Sequence, residues 1–333
     1  MLETVWELLF NPQTNAAIQE LLPEYLIYFF MVITRLGDGA VLFAIAILLY
    51  WYGAERSREK RAMVLALSVT TLALVSGMKG IFQVPRPYLV AEPALAFAPE
   101  AYPGWSTPSA HAMGAAAVFG ALAVIMKSGT KKQRYAIFGS LIGLIAFSRV
   151  VLGLHYVGDV IIGVILGLAL VAIAFNISSR PVVSMFGLAF FIAIFAFFMG
   201  SEEFTTMSIG ASLGGMIVWY LVEDEEARPL GASLMMLGII LIPLLLIFRV
   251  FEALVVVEIV VETVTFGLIP VGGFISIVGY ALLFGFAVGL PYIATYLNRW
   301  DSVRYLQEAF PFRGRIFDIE DLVDQVISTE KSH

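Results

Sequence analysis

The stretch SRVVLGLHYVGDVIIGVILGLALVAIAF, from Ser148 to Phe175, joins two kinds of sequence. From Val157 onward it is an apolar run of the length a bilayer-spanning helix needs, roughly 20 residues, interrupted only by Asp159. Immediately before that run stands His155, and Arg149 lies near the end of a second apolar run at 135–153. A charge at the middle of a bilayer costs roughly 2.5–3.5 kcal/mol on insertion scales. Three ionisable residues gathered where two spans meet are therefore expected to serve one another or a ligand.

Working outward, further apolar runs lie at 22–37, 39–53, 62–82 and 110–127, and after 157–176 at 182–199, 207–222, 230–250 and 268–296. Ten spans are counted, to within one. Of the 333 residues 60% are apolar and 14% charged, the composition of a polytopic membrane protein. The expected fold class is all-α: a transmembrane bundle with a six-helix core and about four further C-terminal spans. The organisation expected is an interfacial N-terminal helix at 1–21, carrying Leu2, Val5, Trp6 and Leu9 on one face, then a membrane core at 22–176. Accessory spans at 177–298 and a polar cytoplasmic tail at 299–333 complete it.

Cysteine is absent, which excludes disulfides, thiolate metal sites and cysteine nucleophiles. The net charge of −6, with no basic stripe, argues against nucleic acid as a partner. No positive n-region or small-residue cleavage site marks the start as a removable signal peptide. Arg56, Arg58, Lys60 and Arg61 occupy one connection, while Lys127, Lys131, Lys132 and Arg134, and then Arg180, occupy others on the same side. Positive loops stay cytoplasmic. The connections at 36–39, 83–109, 150–158 and 200–206, whose single basic residue is Arg86, then face outward, and both termini lie inside.

Lys79, Arg86, Arg149 and Asp159 all lie at the outer ends of apolar runs, and two of the three histidines, His111 and His155, flank the same loops. Lys79 and Arg86 are seven residues apart, so a continuing helix would put both cations on one face before Pro85 and Pro87 end it. In Ser106-Thr107-Pro108-Ser109-Ala110-His111, Thr107 is expected as the N-cap and Pro108 as the first helical residue. The N–H groups of Ser109, Ala110 and His111 would then point outward as an anion site. His155 and Asp159, four apart, place a carboxylate within reach of an imidazole. Three cations, a helix N-terminus and two histidines suit phosphoryl transfer: attack by one imidazole, protonation of the leaving oxygen by the other. No metal or other cofactor is required by this set.

In order along the chain, Lys79-x6-Arg86-Pro87, Pro108-Ser109-Ala110-His111 and Ser148-Arg149-x5-His155-x3-Asp159 resemble the three-part signature of the type 2 phosphatidic acid phosphatase superfamily. That family also contains glucose-6-phosphatase, isoprenyl diphosphate phosphatases and vanadium haloperoxidases. The resemblance covers roughly residues 22–176 and implies catalytic roles for His155 (nucleophile), His111 (general acid) and Asp159 (relay). It implies phosphate binding by Lys79, Arg86, Ser109 and Arg149. Ala110 stands where the family usually has glycine; it keeps the backbone donor but adds a methyl group and disfavours positive φ.

The expected substrate is a lipid phosphate or diphosphate, of isoprenyl diphosphate or phosphatidate type, hydrolysed at the outer surface of the cell membrane. A phosphotransferase using the same site, or a transporter with a vestigial phosphate site, are the alternatives. Arg35 and Asp38 are read first as a polar turn, with substrate contact as the alternative. Tyr102 and Trp105 are read as interfacial anchors, and Glu252, Glu258 and Glu262 as part of an interfacial helix or outer loop.

Overall fold

In a computed structural model of the chain, residues 9–52, 58–90, 104–176, 180–199, 204–223, 265–266 and 269–297 are described. The chain is all-α. α1 (Pro12–Leu21) and α2 (Glu24–Ile33) meet at a sharp bend and lead through a 3-10 turn, Thr34–Gly37, into α3 (Gly39–Tyr52). α4 (Arg58–Phe82) is followed by a short helix α5 (Pro87–Val90), then α6 (Ala110–Ile125), α7 (Lys131–Val151) and α8 (Val157–Asn176). α9 (Pro181–Phe198) and α10 (Thr205–Val222) come next, and a two-residue antiparallel pair, β1 (Thr265–Phe266) with β2 (Ile269–Pro270), precedes α11 (Val271–Leu297).

Six of the described helices are long and apolar enough to cross a membrane, or seven if the pair bent by 119° at Leu21–Glu24 is one span. The protein is thus a multi-pass membrane protein in build. α3 and α6 are shorter apolar helices, and the run expected at 230–250 lies outside the described residues, as do Tyr102, the three glutamates at 252–262, the tail and the stripe expected at residues 2–6.

α6 is the axis of the site half of the bundle. Its small side chains leave every residue from Ala112 to Ala123 buried. α8 crosses it closely through Gly163 and Gly167: a Cβ built at Gly163 would stand 2.8 Å from the Ser109 carbonyl oxygen, and one at Gly167 2.5 Å from that of Met113. Such small-residue crossings let backbones approach where apolar burial alone gives no preference for helix over lipid. The later helices belong to the same packed body. Thr70 of α4 donates to the Met185 carbonyl of α9 (3.1 Å), and Tyr50 and Trp51 of α3 donate to Val288 and Ala287 of α11 (2.9 Å each). α9 turns Phe191, Phe195 and Phe198 outward, an apolar face suited to lipid.

α4 stops at Phe82, with Gln83 at φ 47°, so the helix expected to carry both Lys79 and Arg86 does not continue. Pro85 and Pro87 account for the break, since each lacks an N–H and restricts the residue before it. Arg86 instead leaves an extended segment tied to the next loop by Ser106 N donating to the Val84 carbonyl (2.8 Å).

Candidate active site

The turn from Leu152 to Tyr156, between α7 and α8, delivers His155 into the protein, where it is 2% exposed. Arg86 Nη1 lies 3.1 Å from His155 Nε2, and Asp159 Oδ2 lies 3.3 Å from Nδ1. A guanidinium only donates, so Nε2 is the acceptor and the ring proton sits on Nδ1, facing the carboxylate. Burial, reinforced by the Arg86 and Arg149 cations and opposed by Asp159, holds the His155 imidazole well below its usual pKa. At neutral pH the ring is therefore uncharged, with its Nε2 lone pair directed at the Arg86 guanidinium.

Asp159 is wholly buried and saturated with donors. Ser106 Oγ donates to Oδ2, Thr107 Oγ1 to Oδ1, and the Tyr156 amide to Oδ2 at 2.9 Å. Its main-chain carbonyl takes the Ser109 N–H (3.1 Å). These bonds explain why the start of α6 differs from expectation. Thr107 does not cap it, because its hydroxyl is spent on Asp159; Ser109 is the N-cap, its Oγ accepting from Ala112 N, and α6 begins at Ala110. Of the three N–H groups expected to point outward, that of Ser109 is committed, while those of Ala110 and His111 lack intrahelical partners by position. Among the described residues only Gln83 and Phe204 are non-glycines at positive φ, so Ala110 sits in ordinary helical backbone without strain.

His111 Nε2 is 2.8 Å from Asp38 Oδ1. Asp38 is held below the usual carboxylate range chiefly by this hydrogen bond, with Arg35 (3.5 Å) adding to it. An ionised carboxylate only accepts, so Nε2 of His111 carries a proton and Nδ1 is the nitrogen left for other work. The Gly-Asp-Gly turn read as a polar loop thus holds a carboxylate against the second histidine. Arg149 is 1% exposed, donates from Nη1 to Thr34 Oγ1 (2.7 Å), and with Arg86 acts electrostatically on both imidazoles. Arg86 also donates to the carbonyls of Gly104 (3.1 Å) and Leu154 (3.2 Å). Lys79 is buried in the last turn of α4.

The turn between α7 and α8 and the start of α6 thus bring together two histidines, each beside its own carboxylate, with buried cations within electrostatic reach of both. Residues 61–182 match the model of the PAP2 superfamily, the family that the three motifs resemble. Members of that family are phosphatases and related enzymes, which supports phosphatase-type activity on a phosphate ester. No curated protein and no solved structure matches the chain.

Sequence reasoning missed Thr34, Ser106, Thr107 as an Asp159 ligand, and the pairing of Asp38 with His111. The hydroxyls carry no hydropathy penalty large enough to announce themselves. Asp38 was visible as a carboxylate beside an apolar run, but its partner lies 73 residues away.

Proposed function

We propose that the chain hydrolyses a lipid phosphate or diphosphate, of isoprenyl diphosphate or phosphatidate type, through a phosphohistidine on His155. The observation that carries this reading is the bracketing of His155: the carboxylate at Nδ1 holds the ring proton, and the one lone pair, on Nε2, faces the Arg86 guanidinium, a donor suited to phosphate oxygens. Substrate phosphate oxygens take over the Arg86 donors, joined by Arg149, Lys79, Ser109 and the amides at Ala110 and His111. Nε2 then attacks phosphorus in line, the bond to the leaving oxygen breaks, and His111 gives that oxygen its proton. In the second step water attacks phosphorus as His111 takes its proton, and the P–N bond breaks to release phosphate and free His155. Asp159 stabilises the charge that the ring acquires on phosphorylation.

The apolar helices that carry the site suit a substrate reaching it from the bilayer, and the loop charges support an outward-facing site with both termini cytoplasmic. Residues 22–176 form the catalytic core in this reading, behind the interfacial helix at 1–21, with accessory spans at 177–298 and the tail at 299–333. The test is phosphate release by purified protein, in EDTA, from phosphatidate, isoprenyl diphosphates, phosphatidylglycerophosphate and glucose 6-phosphate. Release from lipid substrates with no loss in EDTA is expected; a strict divalent-metal requirement refutes the mechanism.

Asp38 gives a second expected result. Its charge favours the doubly protonated His111 needed to expel a poor leaving group. Asp38→Asn should slow hydrolysis of an alkyl phosphate about 10-fold or more while affecting p-nitrophenyl phosphate much less, because an aryl oxide leaves without full protonation. Equal loss on both substrates removes Asp38 from proton transfer.

A further inference from the structure

The catalytic turn is held from outside the segment that matches the PAP2 superfamily. α1, capped by the Asn11 side chain and opened by Pro12, lays two amides across the turn. Asn15 Nδ2 donates to both the Val150 carbonyl (2.8 Å) and the His155 carbonyl (2.9 Å), and Gln19 Nε2 donates to the Val151 carbonyl (2.7 Å). Both side chains are buried, Asn15 completely. Being four apart, they share a face of α1.

The acceptors are the groups that a turn of this kind leaves short of partners. Val150 and Val151 end α7, and the last carbonyls of a helix have no intrahelical donor. Within the turn, the Arg149 carbonyl takes the amides of Leu154 and His155, and the Val150 carbonyl takes that of Gly153. The Leu154 carbonyl takes Arg86. The Val151 and His155 carbonyls are served by α1. A second contact seats the same strap: Phe10 packs against Tyr156 at 5.8 Å between ring centroids, over Gly158, where a Cβ would stand 2.5 Å from the Phe10 ring.

We propose that Asn15 is a positioning residue for His155: its amide bridges the two ends of the catalytic turn and fixes the backbone from which the imidazole projects toward Arg86. This rests on the reading of His155 as nucleophile. A displacement of about an ångström at a reacting group costs up to about 10²-fold in rate, so a bridge across the nucleophile's own peptide belongs to catalysis as well as to folding. Gln19 secures only the Val151 carbonyl at the helix end and does not touch the His155 peptide, so it contributes less.

The test uses the full chain in nanodiscs, with Asn15→Asp, which puts an acceptor in place of the donor against two carbonyls, and Gln19→Met, which removes one bond at similar volume. Imidazole ¹⁵N spectra and steady-state phosphatidate hydrolysis are recorded for each. The chain has only three histidines, which makes assignment tractable. In the unaltered protein His155 should show the Nδ1–H tautomer. In Asn15→Asp its resonances should move toward a tautomer average while those of His111 stay put, and kcat should fall about 10- to 100-fold with KM within about twofold. Gln19→Met should show the same change in weaker form, and it remains informative if Asn15→Asp does not fold. Unchanged His155 resonances overturn the proposal, as does a kcat that falls only in proportion to the folded fraction. If the unaltered protein releases no phosphate, the nucleophile reading fails separately, and the resonances alone decide whether Asn15 sets the ring.

Discussion

His155→Ala is expected to lower phosphate release by at least about 10³-fold, whichever lipid substrate proves best, and to abolish acid-labile incorporation of phosphate into the protein. No other group among the described residues combines a neutral imidazole, a lone pair facing a buried guanidinium and a carboxylate behind it. Because His155 resists protonation, the acid limb of kcat/KM should lie well below pH 6.5: the nucleophile is lost only when pH falls through the depressed pKa. Asp159→Asn should be milder than its position suggests. The Tyr156 amide can only donate, so an asparagine there would keep its carbonyl oxygen toward Tyr156 and His155, and the Nδ1–H tautomer would survive. Loss of charge without loss of tautomer predicts a fall of about 10- to 100-fold, against the ~10⁴-fold cost of the wrong tautomer in a serine-protease triad. Phosphate release and trapping of the phosphoenzyme check both variants; full incorporation into His155→Ala would move the nucleophile elsewhere.

What the chain reveals before folding follows from energetic cost. Lys79, Arg86, Arg149, His155 and Asp159 announce themselves because charges in apolar runs are expensive, and their spacing encodes a turn that brings His155 and Asp159 together. The spans are legible for the same reason. Residues with small transfer costs stay hidden: Asn15 and Gln19 sit in a polar-looking helix with no long apolar run, yet both are buried against α7 and its turn. The helix boundaries expected at Thr107 and beyond Lys79 fail because local capping rules do not see tertiary competitors. Asp159 takes the hydroxyl of Thr107, and Gln83 adopts a left-handed turn ahead of Pro85. The Asp38–His111 pair needs a contact between a 3-10 turn and a helix start, which no periodicity announces.

The crossing of α6 and α8 carries the largest expected effect on stability, and it ties the site to the fold. Gly167 faces the Met113 carbonyl oxygen, with the Ala116 Cβ 2.7 Å from where its own Cβ would stand, and neither neighbour is the yielding end of a flexible side chain. A methyl group there forces the two backbones apart, so Gly167→Ala should cost about 1–3 kcal/mol although alanine is the better helix former. Gly167→Leu should leave little folded protein. One turn nearer the site, Gly163 stands against the Ser109 carbonyl, so any opening of this crossing pulls Asp159 away from the Ser109 amide and from the hydroxyls of Ser106 and Thr107. Activity of Gly167→Ala should therefore fall further than its loss of folded protein explains. Gly139 of α7 provides the contrast: a Cβ there meets nothing within 4 Å, and Gly139→Ala should raise the thermal midpoint through helix propensity of up to about 1 kcal/mol while leaving phosphate release unchanged. Thermal midpoints in detergent and rates normalised to folded protein measure both effects; a Gly167→Ala variant as stable and active as the unaltered chain would mean that α6 and α8 do not cross this closely.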